Sequence, residues 1–206
     1  MDSTTWDARY AERDLVWSAG PNVFVEQVAA RLAPGRALDL AAGEGRNAIW
    51  LAEQGWESTA VDFSRVALAR AQRIAGERLG ELAADRLHVV QADLLSYQPP
   101  AQAFDLVMVV YLQVAADERR PVLQAAARGV APGGHLLVIA HDSRNLTEGA
   151  GGPQDPAALY TADDVVEDLH GGPLEVVRAE TVTRAVSTDG GERHALDCLV
   201  LAARPA

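Results

Sequence analysis

Apolar positions along this chain switch repeatedly between a period near 3.6 and short unbroken runs. In "VFVEQVAARLAPG", Val25, Val28, Ala29 and Leu32 fall at i, i+3, i+4 and i+7, the stripe of an amphipathic helix that Pro34-Gly35 stops. "ALDLA" is a short apolar run leading into a glycine turn, "RNAIWLAEQ" has a helical period closed by Gly55, and "ESTAVDF" is extended again. These segments predict a βαβ unit, and the alternation then repeats. Ser64 is placed to cap a helix whose apolar face follows Leu68, Ala71, Ala75, Leu79 and Leu82, and "RLHVVQAD" predicts the next strand. "FDLVMVVYL" is nearly all apolar and rich in valine, as suits a parallel strand covered on both faces. A helix is predicted over Val122 to Val130, with Pro121 tolerated only in its first turn; "APGG" ends it and "HLLVIAH" is a fifth strand.

After His141 the pattern breaks. Residues 142–160 contain several glycines and prolines and no periodicity, which predicts a long loop of the kind retained for function. "TADDVVEDL" predicts a short helix capped by Thr161 with Asp164 as acidic partner, and "LEVVRAETVTRAV" and "HALDCLVLAAR" flank "STDGGE", a hairpin signal. A βα repeat ending in an antiparallel hairpin fits one domain of 206 residues.

Composition narrows the partners. The formal net charge of −11, with no cluster of basic residues, repels a phosphate backbone, so nucleic acid is not an expected partner. The N-terminus is charged and lacks the apolar core of a signal peptide, and the longest apolar run, Leu106 to Leu112, is too short to span a bilayer. A cytoplasmic protein with no membrane partner is expected. A lone Cys198 excludes an intramolecular disulfide, and His88, His135, His170 and His194 have no metal-ligand spacing, so no metal is expected.

In "RALDLAAGEGRN" the first strand delivers the chain to the turn from Asp39 to Gly45, where glycines let backbone N–H groups approach a ligand. The second strand ends in Asp62, 19 residues after Gly43, where a carboxylate can accept from ribose hydroxyls. A dinucleotide would set its pyrophosphate on the following helix N-terminus, with small residues at Gly43, Gly45 and Ala48. Asp39 and Glu44 instead put negative charge beside that position, which suits a cationic nucleoside ligand without phosphate, such as S-adenosylmethionine. Ala41 stands where the first glycine of such turns is usual, and its methyl group is expected to be accommodated at negative φ.

In order, "LDLAAGEGRN", "VDFS", "QADL", "FDLVMVVYL" and "APGGHLLV" resemble the motifs of class I S-adenosylmethionine-dependent methyltransferases. "GEGRNAIWLAEQG" and an N-terminal "WDARY" are similar to the small tellurite-resistance and thiopurine-type members. The resemblance implies a doubly wound, Rossmann-like α/β fold: a seven-stranded, mainly parallel sheet of order 3-2-1-4-5-7-6 with the last strand antiparallel. It also implies S-adenosylmethionine as cofactor, leaving as S-adenosylhomocysteine. Carried onto this chain, Asp39 would meet the methionine ammonium, and Ala41 and Gly43, with Arg46 and Asn47 after them, would pass close to the cofactor. Asp62 would bind the ribose with Phe63 beside the adenine; Asp93, flanked by Ala92 and Leu94, would accept from the adenine amino group. Val109, Val110 and Tyr111 would border the methyl-transfer site. The segment 1–33, with Trp6, Tyr10 and Trp17, would close over the cofactor and form the acceptor pocket with the loop 142–160. Purely structural roles stay open for Asp39 at a strand end, for Asp62 beside a helix cap and for Asp93 as a turn cap.

Methyl transfer from a sulfonium is an in-line displacement, so the protein must chiefly position donor and acceptor and exclude water. A thiol or chalcogen oxyanion needs no strong base, whereas a hydroxyl or amine does. His141, with Asp142 next to it, is the candidate base or substrate contact, and Tyr111, with Gln113 beyond it, lines the acceptor side and offers a ring to a cation. The expected partner is a compact methyl acceptor, and the protein a monomer or homodimer. An NAD(P)-dependent oxidoreductase is the competing reading, weakened by the absence of a Tyr-x-x-x-Lys pair in a chain without lysine; a non-catalytic adenosyl-ligand module stays open.

Overall fold

The unbroken apolar runs form the inner strands of one sheet covered on both faces. A computed structural model describes residues 6–7, 20–188 and 191–206. Helix α1 (Val23–Ala29) precedes β1 (Arg36–Leu40), α2 (Arg46–Glu53), β2 (Glu57–Asp62), α3 (Arg65–Ala84) and β3 (Leu87–Gln91). Then follow β4 (Phe104–Val110), α4 (Ala116–Gly129), β5 (Val130–His141), α5 (Asn145–Glu148), a 3-10 turn at Pro156–Ala158, α6 (Ala162–Leu169), β6 (Glu175–Thr188) and β7 (Gly191–Ala203). The seven strands lie in the order β3-β2-β1-β4-β5-β7-β6. Strands β1 to β5 are parallel, and β7 runs antiparallel to both β5 and β6.

Side chains alternate across the sheet, which sorts the core into two layers. Leu38, Leu40, Val107, Val109, Leu136 and Val138 pack beneath Leu123, Ala126 and Ala127 of α4 and Val165 and Leu169 of α6. Ala37, Leu106, Met108, Leu137 and Ile139 face the other way, against Phe24, Val25 and Val28 of α1 and Leu51 of α2. Cys198 is buried among the first layer, and burial pushes its thiol up to about 12, so it is a packing residue and not a nucleophile. Among the described residues no helix is long and apolar enough to cross a membrane.

Several boundaries differ from the sequence pattern. Helix α4 begins at Ala116 rather than Val122 and carries Pro121 inside it. The bond that Pro121 cannot donate would go to the carbonyl of Asp117, an exposed residue on the first turn of the helix. "APGG" is not a separate stop but the first part of β5, where pairing with β4 shifts between Phe104 and Leu106. A Cβ at Gly134 would lie 2.9 to 3.0 Å from the carbonyl oxygens of Ala131, Phe104 and Asp105, so only glycine fits this crossing. The apolar stripe of α3 ends early because Gly80, at φ 64° and ψ 175°, breaks the helix. The segment 142–160 is not a featureless loop: it folds into α5 and the 3-10 turn. Residues 189–190 of the hairpin turn lie outside the described residues.

Candidate active site

The order of the sheet reverses between β1 and β4, and such a point opens a crevice beyond the carboxyl ends of the strands. A cleft of about 1810 Å³ lies there.

One end of the cleft is made by the turn after β1. Ala41, Gly43 and Gly45 have φ of 60°, 55° and 73°, so every second residue is left-handed. This corrects the expectation of negative φ at Ala41: its Cβ is held in a conformation that costs ~1–2 kcal/mol. The turn is clamped from the neighbouring strand, with Ala42 N–H donating to the Val61 carbonyl (3.1 Å) and Gly43 N–H to Asp62 Oδ2 (2.8 Å). Gly45 caps α2, and a Cβ there would stand 3.0 Å from Ala71 Cβ.

Asp62 is buried, which raises its carboxyl above the usual range against the backbone hydrogen bonds from Ser64 and Gly43. Ser64 N–H donates to Asp62 Oδ1 (2.9 Å), and the Ser64 hydroxyl accepts from Ala67 N–H (3.1 Å), capping α3, while donating to the Asp7 carboxylate. Asp62 therefore holds the turn and also lines the cleft, where its remaining lone pairs are available. Asp39 sits beneath the turn at 1% exposure, and neither carboxylate oxygen accepts a hydrogen bond of normal geometry. Burial raises its carboxyl to about 7, although the nearby Arg46 guanidinium pulls it down.

Arg46 and Asn47 open α2 and line the cleft, and Asn47 Oδ1 accepts from Asn22 N–H (2.9 Å). Glu44 is buried and paired with Arg70 at 3.0 Å. Phe63, Ala92, Asp93 and Leu94 also line the cleft; Asp93 is exposed and accepts from Leu95 N–H (3.0 Å), so it caps its turn as well. Val109 does not reach the cleft: it is fully buried between the layers, and the lining from β4 begins at Val110 and continues through Tyr111 and Leu112. Trp6 lines the cleft, whereas Tyr10 and Trp17 lie outside the described residues.

The other end is assembled from β4, β5, β6 and β7. Tyr111 has φ 59°, a genuine outlier for a bulky side chain, and its N–H donates to the Ile139 carbonyl (2.7 Å). Its hydroxyl donates to Asp197 Oδ2 (2.8 Å) and accepts from Asn22 Nδ2 (3.1 Å). Its ring stacks on His141 with centroids 4.8 Å apart, and the Arg184 and Arg46 guanidiniums lie 5.6 and 5.9 Å from the Tyr111 centroid. Arg184 Nε donates to Asp197 Oδ2 (2.9 Å). His141 Nδ1 lies 3.2 Å from Asp197 Oδ1.

The carboxylate that faces the His141 ring is Asp197 and not its chain neighbour Asp142. Adjacent residues on an extended strand point to opposite faces, so Asp142 turns away to accept from the Thr181 hydroxyl (2.9 Å) and from Arg144 N–H (2.9 Å). Asp197 has no exposed surface, and burial would raise its carboxyl; hydrogen bonds from His141, Arg184 and Tyr111 and the Arg184 charge outweigh this and hold it below the usual range. Gln113 joins this end to the loop, accepting from His141 N–H (2.9 Å) and donating to the Ala158 carbonyl. Sequence reading missed Arg184, Asn22 and Asp197. The signal for Asp197 was an acid inside the apolar run "HALDCLVLAA", a pattern that flags a buried charge. Among the described residues no group of three or more His, Cys, Asp or Glu side chains is placed to hold a metal ion.

Residues 37–134 match a family described as "Methyltransferase domain". Glycine N-methyltransferase of Rattus norvegicus is 30% identical over an alignment of 152 residues that covers 68% of this chain and 52% of that protein. The chain thus spans about half the length of the curated relative it matches. A protein solved in work on the conversion of a disulfide bond into a thioacetal group during echinomycin biosynthesis is similar with a TM-score of 0.79 at 20% identity, over 98% of this chain and 91% of its own. A glycopeptide N-methyltransferase, MtfA, complexed with S-adenosylmethionine is similar with a TM-score of 0.67 at 22% identity, over 88% of this chain and 93% of its own. The chain shares its Rossmann-like, seven-stranded fold with these solved structures.

Proposed function

We propose that this chain is a class I S-adenosylmethionine-dependent methyltransferase, one domain over residues 1–206, acting on a compact acceptor at the Tyr111 and His141 end of the cleft. The observation that carries this reading is Asp39, a buried carboxylate with unsatisfied oxygens beneath a left-handed turn. An orphaned buried carboxylate is costly, and a ligand ammonium offsets that cost where a phosphate would add to it. A bound S-adenosylmethionine supplies a methyl group on a positively charged sulfur.

The chain's own residues divide the work of holding it. Asp39 balances the ammonium charge, and the Arg46 guanidinium suits the methionine carboxylate. The outward lone pairs of Asp62 take ribose hydroxyls, while Phe63, Ala92, Asp93 and Leu94 line the adenine side. Trp6 from the N-terminal segment and Gly152 and Pro153 from the loop border the cleft and exclude water near the acceptor. The narrower likeness to tellurite-resistance and thiopurine-type proteins rests on "GEGRNAIWLAEQG" and the N-terminal "WDARY". For an NAD(P) site, a pyrophosphate would have to sit at the start of α2 beside the buried Glu44 and Asp39.

Calorimetric titration of the whole chain with S-adenosylmethionine, S-adenosylhomocysteine and NAD tests the reading. Binding of the two adenosyl ligands and not of NAD is the expected result; binding of NAD alone would refute it.

A further inference from the structure

His141 is held from every side in a way that packing alone does not require. Its Nδ1 is buried and faces the fully buried Asp197 of β7 at 3.2 Å. Its backbone N–H is tied to Gln113, and one ring face stacks on Tyr111, the residue after β4. Gly152, at φ 78°, brings its backbone against the same imidazole: a Cβ there would lie 3.0 Å from the His141 Cγ. With Nδ1 buried and the residue lining the cleft, Nε2 is the nitrogen left facing it.

Given the methyltransferase reading above, we propose that His141, oriented by Asp197, is the general base of the transfer and that the acceptor atom is a hydroxyl oxygen. The Asp197 carboxylate lies 3.2 Å from Nδ1 without closing a hydrogen bond in this structure, and at that distance it favours the neutral tautomer with its proton on Nδ1, which leaves the Nε2 lone pair to take a proton from a substrate. Tyr111 serves this arrangement as a positioning residue. Its left-handed backbone directs its hydroxyl onto the second oxygen of Asp197, and strain of that kind persists where the surroundings impose it.

The charged groups around His141 select the acceptor. Asp197 lies on β7, Arg184 on β6 and Arg46 on α2, while the Asp142 carboxylate turns away to Thr181. Two guanidiniums lie 5.9 and 5.6 Å from the Tyr111 ring centroid, and one carboxylate, Asp197, accepts from the Tyr111 hydroxyl. An ammonium-bearing acceptor would approach against those cations, whereas an oxygen gaining negative charge is favoured beside them. A thiol, with a pKa of about 8.5, depends on a base much less than a hydroxyl does, and a chalcogen oxyanion is already ionised, so a carboxylate-held histidine gives its largest advantage to a hydroxyl. In the step itself the oxygen–methyl bond forms as the sulfur–methyl bond breaks, its electron pair stays on sulfur, and the hydroxyl proton passes to His141 Nε2 and then to water.

Two measurements test this. Nitrogen NMR of the histidine side chains in the whole protein, assigned with His141→Gln, is expected to show neutral His141 protonated on Nδ1 and a shift toward the Nε2-protonated tautomer in Asp197→Asn. An Nε2-protonated His141 in the unsubstituted protein overturns the proposal, and this readout needs neither Asp197→Asn to fold nor an acceptor. Mass-spectrometric product formation from S-adenosylmethionine and matched sets of alcohols and phenols, amines and thiols is the second. Methylation of hydroxyl compounds is expected, with His141→Gln lowering kcat on them by about 10²–10⁴-fold, removing the rise of rate with pH, and leaving KM nearly unchanged. Hydroxyl methylation at full rate in His141→Gln, or methylation confined to amines or thiols, overturns it. If the unsubstituted protein binds no S-adenosylmethionine in calorimetry, the methyltransferase reading itself has failed; if His141→Gln binds it normally while turnover falls, the two readings stand together.

Discussion

Asp39 and Asp197 each follow Ala-Leu on a strand, and each is buried to 1% exposure or less, yet they are opposite kinds of site. Asp39 has no hydrogen-bonded partner for either oxygen, and burial lifts its carboxyl to about 7. Asp197 faces Tyr111, Arg184 and His141, and together they hold its carboxyl below the usual range in spite of burial. Arg46 stands in the electrostatic field of both. Burial sets the cost for each carboxylate, and partners decide what the residue can do. An unsatisfied carboxylate gains from an incoming cation and so suits binding. Asp197, whose Oδ2 accepts from Tyr111 and Arg184 while its Oδ1 faces His141 at 3.2 Å, serves to orient the side chains around it.

The largest test of this contrast is pH. The Asp39 carboxyl rises from the usual 3.8 to about 7, so between those values the unfolded chain has lost a proton that the folded chain keeps. Stability therefore falls as pH rises through that window and is flat outside it; at ~1.36 kcal/mol per pH unit the fall is roughly 4 kcal/mol. Asp197 has the opposite sign: its stabilisation is full above the usual carboxylate range and is lost as pH falls through its depressed value. Urea unfolding across pH should show the falling limb in the unsubstituted protein and a much shallower one in Asp39→Asn, where Asp62, also raised by burial, still contributes with the same sign. An unaltered limb would mean that Asp39 is ionised and partnered, and the contrast would disappear. Next in size is Asp197→Ala, which strands Arg184 and the Tyr111 hydroxyl. Breaking a buried pair costs ~3–5 kcal/mol, and because the Arg184 side chain is 26% exposed the lower end, about 3 kcal/mol, is expected in urea unfolding at neutral pH.

The two ends of the cleft also differ in how far the sequence reveals them. The turn holding Asp39, Ala41 and Gly43 and the strand end at Asp62 lie within one βαβ unit, where spacing and glycine chemistry act locally. The closing hairpin follows from period and turn residues in the same way, whereas the strand order is implied by the resemblance of the motifs. The Asp197 end joins residues that are remote along the chain, 86 positions from Tyr111 to Asp197 and 89 from Asn22 to Tyr111, and only the antiparallel return of β7 beside β5 brings them together. His141 and Tyr111 were readable because each stands at the end of an apolar run. The partner of His141 was not, because the pairing of His141 with Asp197 across the β5–β7 ladder has no trace in local spacing. Val109 failed for a similar reason: the period places it in a strand but does not say which face the cleft opens on.

A third test separates ligand binding from stability. Asp62→Ala removes the acceptor for Gly43 N–H and the lone pairs that face the cleft. The affinity for S-adenosylmethionine is expected to fall at least tenfold, about 1.4 kcal/mol, in calorimetric titration. Unchanged affinity would detach the ribose from this carboxylate and leave Asp62 as a purely structural clamp.

The smallest effect sharpens the contrast at the level of backbone. Ala41 and Tyr111 are both left-handed, at 60° and 59°, one at each end of the cleft. Ala41 carries a methyl group with no partner to justify its strain, whereas Tyr111 spends its conformation on two hydrogen bonds and a stacked ring. Ala41→Gly relieves ~1–2 kcal/mol of left-handed cost and loses ~0.4–1 kcal/mol through the freer unfolded chain, leaving a net gain of about 0.5–1 kcal/mol. A small rise in the urea midpoint with S-adenosylmethionine affinity preserved is therefore expected. If Ala41→Gly instead weakens the cofactor, the methyl group is itself a contact, and the strain at this end of the cleft has a use as it does at the other.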